Sequence, residues 1–324
     1  MRPWWMRAAI AALVLAAVPA SARAERFALI VAGASGGEVY AERHAAWTAD
    51  LAATLVDRLK FDRARVTVLT DAKDEASRST AENVRRAFAA VRRDMAAGDL
   101  LFVVLIGHGT FDGTDAKFNL VGPDLESAQW IELLADLPGQ LVLVNTTSGS
   151  FPFTERLAGE RRIVITATDS AAQRFDTVFP QYFIAALADD AADIDKNGRV
   201  SIWEAFAAAN GAVRRHFQQR GQLATERALL DDNGDGVGRD AAGGGGDDGP
   251  AASRTYLDEP LPGAAPTDEV LVQLLQKRAA VEAELDELRV RRSFMLPEEY
   301  QKEFERLIIE FARVSRDIRE RIKS

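Results

Sequence analysis

The chain has 324 residues, of which 47% are hydrophobic and 27% charged, enough apolar material for a packed core and too much for a disordered chain. A net charge of -9 excludes the broad positive field that nucleic acid or an anionic membrane surface requires, so neither is expected as a partner. There is no cysteine, which removes both disulfides and thiol nucleophiles.

The first segment reads as a targeting signal. Arg2 and Arg7 flank Trp4 and Trp5, Ala8 to Val18 is apolar but too short to span a bilayer, and Ala22-Arg23-Ala24 is a small-residue cleavage pattern. Residues 1–24 are therefore expected to be a signal peptide. The mature chain would start at Glu25 and be exported, to the periplasm or outside the cell. No later run of about 18 apolar residues follows, so no integral membrane segment is expected once the signal is removed.

Phe27 to Ala32 is a buried strand by pattern, followed by a Gly33–Gly37 loop. Trp47, Leu51, Leu55, Val56 and Leu59 recur at helical spacing. Val66 to Leu69 is strand-like, and Thr80 to Met95 carries a helical stripe of Val84, Phe88, Val91 and Met95. Then come a strand over Leu100–Ile106, a helix near Trp130–Leu137, and strands over Leu141–Val144 and Ile163–Ala167. Helices are expected at about Gln181–Ala188 and Ile202–Arg220. Alternating strands and helices imply an α/β domain whose central sheet is mostly parallel and covered on both faces. Ligands on such sheets bind beyond the carboxyl ends of the strands. Gly107-His108-Gly109 and Asn145-Thr146-Thr147-Ser148-Gly149-Ser150 both fall there.

Pro260 to Pro266 marks a linker, with boundaries expected at 259–267, separating a domain at 25–258 from a tail at 268–324. In the tail, Leu271, Leu274, Arg278, Val281, Leu285 and Leu288 step by three and four, as do Tyr300, Phe304, Leu307, Phe311, Val314 and Ile318. Pro297 restarts the second series at a first helical turn. The pattern predicts a coiled-coil-like helical hairpin, which either folds back on the domain or joins two chains as a homo-oligomer.

The segment Leu141–Phe151 resembles the active-site strand and turn of the legumain/caspase-type cysteine peptidases. Ser148-Gly149-Ser150 matches the end of that family's turn, which places Thr146 at the nucleophile position. His108-Gly109, after the preceding strand, matches the family's His-Gly. The likeness covers roughly Arg26 to Arg220 and looks like a branch without the catalytic cysteine. It implies a three-layer caspase-like domain, with backbone N–H groups at Gly109 and Gly149 facing a substrate carbonyl. A threonine hydroxyl is a far weaker acid than a thiol and needs a strong, positioned base. Loss of a nucleophile can cost on the order of 10⁶ in turnover. The implied protein is thus a pseudopeptidase that binds a peptide or protein. Two competing expectations stand beside it. One is an active endopeptidase with His108 as base and Thr146 or Ser148 as nucleophile. The other is an envelope scaffold acting through the hairpin. His44, on a helix, and His216, at a helix end, read as structural.

The most specific local motif lies elsewhere. Asp193 to Glu204 fits the calcium loop D-x-[DN]-x-[DN]-G-x₅-E. Asp193, Asp195, Asn197, Ser201 and Glu204 occupy ligand positions 1, 3, 5, 9 and 12, and Arg199 at position 7 offers its carbonyl. Calcium is the expected cofactor. Asp231, Asn233 and Asp235 begin a second such loop, but its twelfth position is Ala242. Both loops follow the candidate site strand in sequence, so calcium is expected to rigidify this region and thereby order the substrate cleft.

Overall fold

The computed structural model describes residues 24–241, 248–259, 268–292 and 295–323. The expected leader apart from Ala24, the Gly243–Gly246 run and the Pro260–Pro266 linker lie outside the described residues.

Five strands run parallel: β1 (Arg26–Ala32), β2 (Val66–Leu69), β3 (Leu100–Ile106), β7 (Gln140–Asn145) and β8 (Arg162–Thr166). Their spatial order is β2-β1-β3-β7-β8, closed at one edge by the short antiparallel β9 (Leu229–Asp231). The apolar strands serve two cores at once. Ala28, Ile30, Phe102, Val104, Val142 and Val144 face α1 (Glu38–Ala53), α5 (Phe179–Ala188) and α6 (Ile202–Gln219). Phe27, Leu29, Val31, Leu101, Val103 and Leu141 face α2 (Ala81–Asp94), α3 (Ser127–Leu134) and α4 (Pro152–Leu157). Alternate side chains go to opposite faces, so covering both faces demands unbroken apolar runs. The result is a three-layer α/β domain with a mostly parallel central sheet.

Several short elements differ from the sequence reading. A second sheet, β4 (Gly109–Phe111), β5 (Ala116–Phe118) and β6 (Leu125–Glu126), is antiparallel and rises directly from His108. Its strands are too short for periodicity to register. The strand β9 has only three residues, for the same reason. The helix α3 starts at Ser127 rather than near Trp130, because Glu126 and Gln129 form a capping box that fixes its first turn.

The tail forms α8 (Glu269–Arg291) and α9 (Pro297–Lys323). Ion pairs Asp268–Arg321, Lys277–Glu310 and Glu284–Arg306 progress in opposite directions along the two helices, which makes the pair antiparallel. Val281, Leu285, Leu288 and Leu307 are buried between them with Phe304 and Phe311. Leu271, Val314 and Ile318 join the domain core instead. The end of the hairpin nearest the chain's linker thus docks on the domain core, and further along α8 Ala280, Glu284 and Glu287 line a pocket with Asn210 and Arg214 of the domain.

Candidate functional site

The strands β3 and β7 are neighbours, with Leu105 opposite Asn145, so the His108 loop and the 145–150 turn emerge side by side. They approach too closely for side chains at either glycine. A Cβ at Gly109 would lie 2.3 Å from Thr147 Oγ1, and one at Gly149 would lie 2.8 Å from the Gly109 carbonyl carbon. These glycines therefore serve first as spacers that let the two loops touch.

Two of the turn's four hydroxyls, those of Thr146 and Ser150, are used inside the protein. Thr146, 1% exposed, donates its Oγ1 hydrogen to Leu105 O at 2.7 Å, and its own carbonyl accepts from Thr177 Oγ1. Ser150 Oγ accepts from Ala167 N (3.0 Å) and Thr168 N (3.2 Å) and lies 3.0 Å from Thr168 Oγ1. Ser148 contributes its carbonyl to Thr168 Oγ1 at 3.1 Å. The hydroxyl that meets the His-Gly loop is that of Thr147, which is fully buried and has no hydrogen-bond partner among the described residues. The residue at the contact is one place along from the position that the turn motif assigned.

His108 sits in a polar cluster that the sequence did not announce. Its Nε2 is 3.0 Å from Ser35 O, and its Nδ1 is 3.3 Å from Asp176 Oδ1. A carbonyl only accepts, so Nε2 carries a hydrogen there. Asp176 also pairs with Arg43 at 2.7 Å, and Arg43 lies over the Tyr40 and Trp47 rings. Tyr40 meets the His108 ring edge-on at 4.8 Å, and His44 approaches it at 5.3 Å. Burial, reinforced by the positive fields of His108 and Arg43, drives the His44 imidazole down to about 4, so His44 is neutral at physiological pH. Glu226 steadies the loop after β8 by accepting Val178 N and Phe179 N at the start of α5; its burial pushes it up to about 7. Next to Asp176, Phe175 is 67% exposed. Ser35, Tyr40, Arg43, Asp176 and Glu226 come from four separate segments. Nothing in their local sequence marks them, since only the fold assembles them.

The first acidic loop closes as its motif suggests. Lys196 and Gly198 adopt φ of 60° and 85° at loop positions 4 and 6. Asp193 accepts from Asn197 N and Gly198 N, and Asn197 Oδ1 accepts from Arg199 N. Ligand oxygens of Asp193, Asp195 and Glu204 lie within 4.8 Å of one another. Burial, then the charge of Glu204, pushes Asp195 up to about 7, and burial raises Glu204 as well. Among the described residues none of the three is ion-paired with a lysine or arginine. Hard oxygens crowded without a compensating cation are a donor set suited to a divalent ion such as calcium. Ser201 and Glu204 form a capping box on α6, and Arg199 turns its side chain to Asp258 and the Tyr256 ring.

This loop lies far from His108 along the strands. Asn197 bonds Tyr256, whose neighbour Thr255 accepts from Gln140, the first residue of β7. Leu257 accepts from Arg26, the first residue of β1. The second loop runs from the end of β9 against Gly159, just before β8 begins. Both acidic loops therefore sit at the amino end of the sheet, and the expectation that they frame the cleft is replaced by one in which they brace its opposite end.

No family model and no curated protein matches this chain. Among solved structures, it is similar to a structural-genomics protein of Geobacter sulfurreducens, at 15% identity and a TM-score of 0.42, over 64% of this chain and 92% of that one.

Proposed function

We propose that this chain is an exported, caspase/legumain-like pseudopeptidase that binds a peptide or protein segment at the carboxyl end of its sheet, with calcium as a structural ion at the amino end. The observation that carries this reading is the pairing of a His-Gly loop and a hydroxyl turn in contact, with Thr146 and Ser150 committed to backbone partners. Both His108 nitrogens face protein oxygens within 3.3 Å, which suits a positioning role better than proton abstraction. Phe175, exposed beside this cluster, offers the kind of aromatic anchor that dominates binding interfaces. The leader pattern supports export, and the acidic loop supports calcium.

The test is cleavage of a mixed peptide library by the full chain in calcium, beside Thr146→Cys, Thr147→Cys and His108→Ala. The wild type is expected to be silent. Turnover by the wild type that disappears in His108→Ala would overturn the reading. One observation favours a hydrolase as second reading, namely the unpartnered Thr147 hydroxyl against Gly109. Cleavage by Thr147→Cys alone would identify a retired active site and the position of its former nucleophile.

A further inference from the structure

The second acidic loop lacks a carboxylate at its twelfth position, yet the fold delivers one from further along the chain. In the first loop, Glu204 Oε1 accepts the N–H of the second loop residue, Ile194, at 2.8 Å. In the second loop the corresponding N–H, that of Asp232, donates to Asp248 Oδ1 at 3.1 Å. The backbones correspond as well. Gly234 and Gly236 take φ of 81° and 78°, matching Lys196 and Gly198. The first residue of each loop, Asp193 or Asp231, accepts the N–H of the sixth, and the fifth, Asn197 or Asp235, accepts that of the seventh.

Those bonds set the shape of the loop; the pointer to an ion is Asp248 itself. Its side chain is 3% exposed, and its Oδ2 is buried and accepts no hydrogen bond among the described residues. The Arg239 guanidinium approaches that oxygen only to 3.9 Å, too far to donate. Asp231 is fully buried. Asp232 is used elsewhere, accepting Gly249 N and Ala252 N at the start of the short helix α7 (Pro250–Ser253).

We propose that Asp231, Asn233, Asp235 and Asp248 hold a second divalent cation, calcium by its preference for hard oxygens, with Asp248 standing in for the absent glutamate. These oxygens are set wider than the first trio, so the ion closes the site by moving side chains, chiefly the exposed Asp235. Its occupation would tie β9 and α7 together against Gly159 and Glu155, the residues that Gly234 and Gly236 touch.

Calorimetric titration of the full chain with calcium, after stripping with EDTA, tests this. Wild type is expected to take two ions, Glu204→Gln and Asp248→Asn one each, and the double variant none. Two ions retained in Asp248→Asn would overturn the role of Asp248. A single ion in wild type that survives Asp248→Asn but is lost in Glu204→Gln would overturn the second site and leave the first intact. The reverse pattern would support the second site and remove the first, and no binding at all would overturn both. If Asp248→Asn fails to fold by circular dichroism, Asp235→Asn decides. It is expected to weaken one of the two affinities at least tenfold, and unchanged affinities would overturn the proposal.

Discussion

At the carboxyl end of the sheet, several polar side chains find partners within the chain, while the buried Thr147 Oγ1, His44 Nδ1 and Asn145 Nδ2 have none among the described residues. Thr146 is held by Leu105 O, Ser150 by two backbone N–H groups, and His108 and Arg43 by Asp176. At the amino end, oxygens of Asp193, Asp195 and Glu204 lie within 4.8 Å of one another, and the buried side chains of Asp231 and Asp248 belong to the more widely set second loop, where Arg239 approaches Asp248 to 3.9 Å. A buried polar group is tolerated when it is hydrogen-bonded, whereas buried like charges call for a counterion. The contrast separates a turn in which Thr146 and Ser150 are hydrogen-bonded within the protein from loops whose carboxylates crowd without a hydrogen-bonded lysine or arginine among the described residues.

The largest expected effect tests the amino end. An ion present at about a thousand times its dissociation constant stabilises the folded state by about 4 kcal/mol. At 2–4 °C per kcal/mol for chains of roughly this size, chelation should lower the melting temperature by about 10 °C for each filled loop. Differential scanning calorimetry with calcium and with EDTA measures this. Glu204→Gln should abolish the share that belongs to the first loop. Identical transitions in calcium and EDTA would remove the contrast between the two ends.

Next in size is a pH effect at the carboxyl end. His44 falls to about 4 in the folded chain, against 6.5 when unfolded, so the folded state binds fewer protons between those values. Stability therefore rises with pH through that window and is flat above it. Acidification from pH 7 to pH 4 should cost roughly 2–3 kcal/mol through this residue. His44→Phe, which keeps an aromatic ring beside Tyr40 and Trp47, should flatten that part of the profile in urea titrations. A profile unchanged by the substitution would mean that His44 is solvated rather than buried.

A smaller effect tests whether the turn's hydroxyls are structural. Ser150→Ala strands Thr168 N, and only Asn145 O then holds Ala167 N. The expected loss is about 2 kcal/mol, read as a lower urea midpoint with unchanged slope. Were Ser150 poised for chemistry instead, the substitution would leave stability alone.

The sequence carried the two kinds of region unequally. Continuous apolar strands declared a two-sided sheet, because burial on both faces leaves no room for alternation, and the tail declared its seam through steps of three and four. The Asp193–Glu204 loop was legible because its ligands and turn residue sit at fixed local spacings. The His108 cluster was not, because Ser35, Arg43 and Asp176 meet only through the parallel order of β1, β3 and β8. Asp248 was invisible for a related reason, since it reaches its loop from beyond the twelfth position. The turn motif puts the nucleophile position at Thr146. The backbone path then turned Thr146 into the strand and left Thr147 against Gly109.

The smallest effect on stability should carry the largest effect on binding. Phe175 is 67% exposed and sits beside Asp176, so its ring stabilises little in the free protein. Phe175→Ala should shift unfolding by less than about 0.5 kcal/mol, as exposed substitutions do. An aromatic anchor at a binding patch loses about 2 kcal/mol or more of affinity on truncation, roughly thirtyfold in dissociation constant. The measurement is retention of wild type and Phe175→Ala on a peptide array, with thermal melts alongside. Retention that falls in the variant at equal melting temperature places recognition at the carboxyl end. Peptides held equally by both would move recognition off that end and towards the exposed face of α9, where Ile308 and Ile309 lie. Because the variant leaves the acidic loops untouched, it separates the two ends by function as chelation separates them by stability.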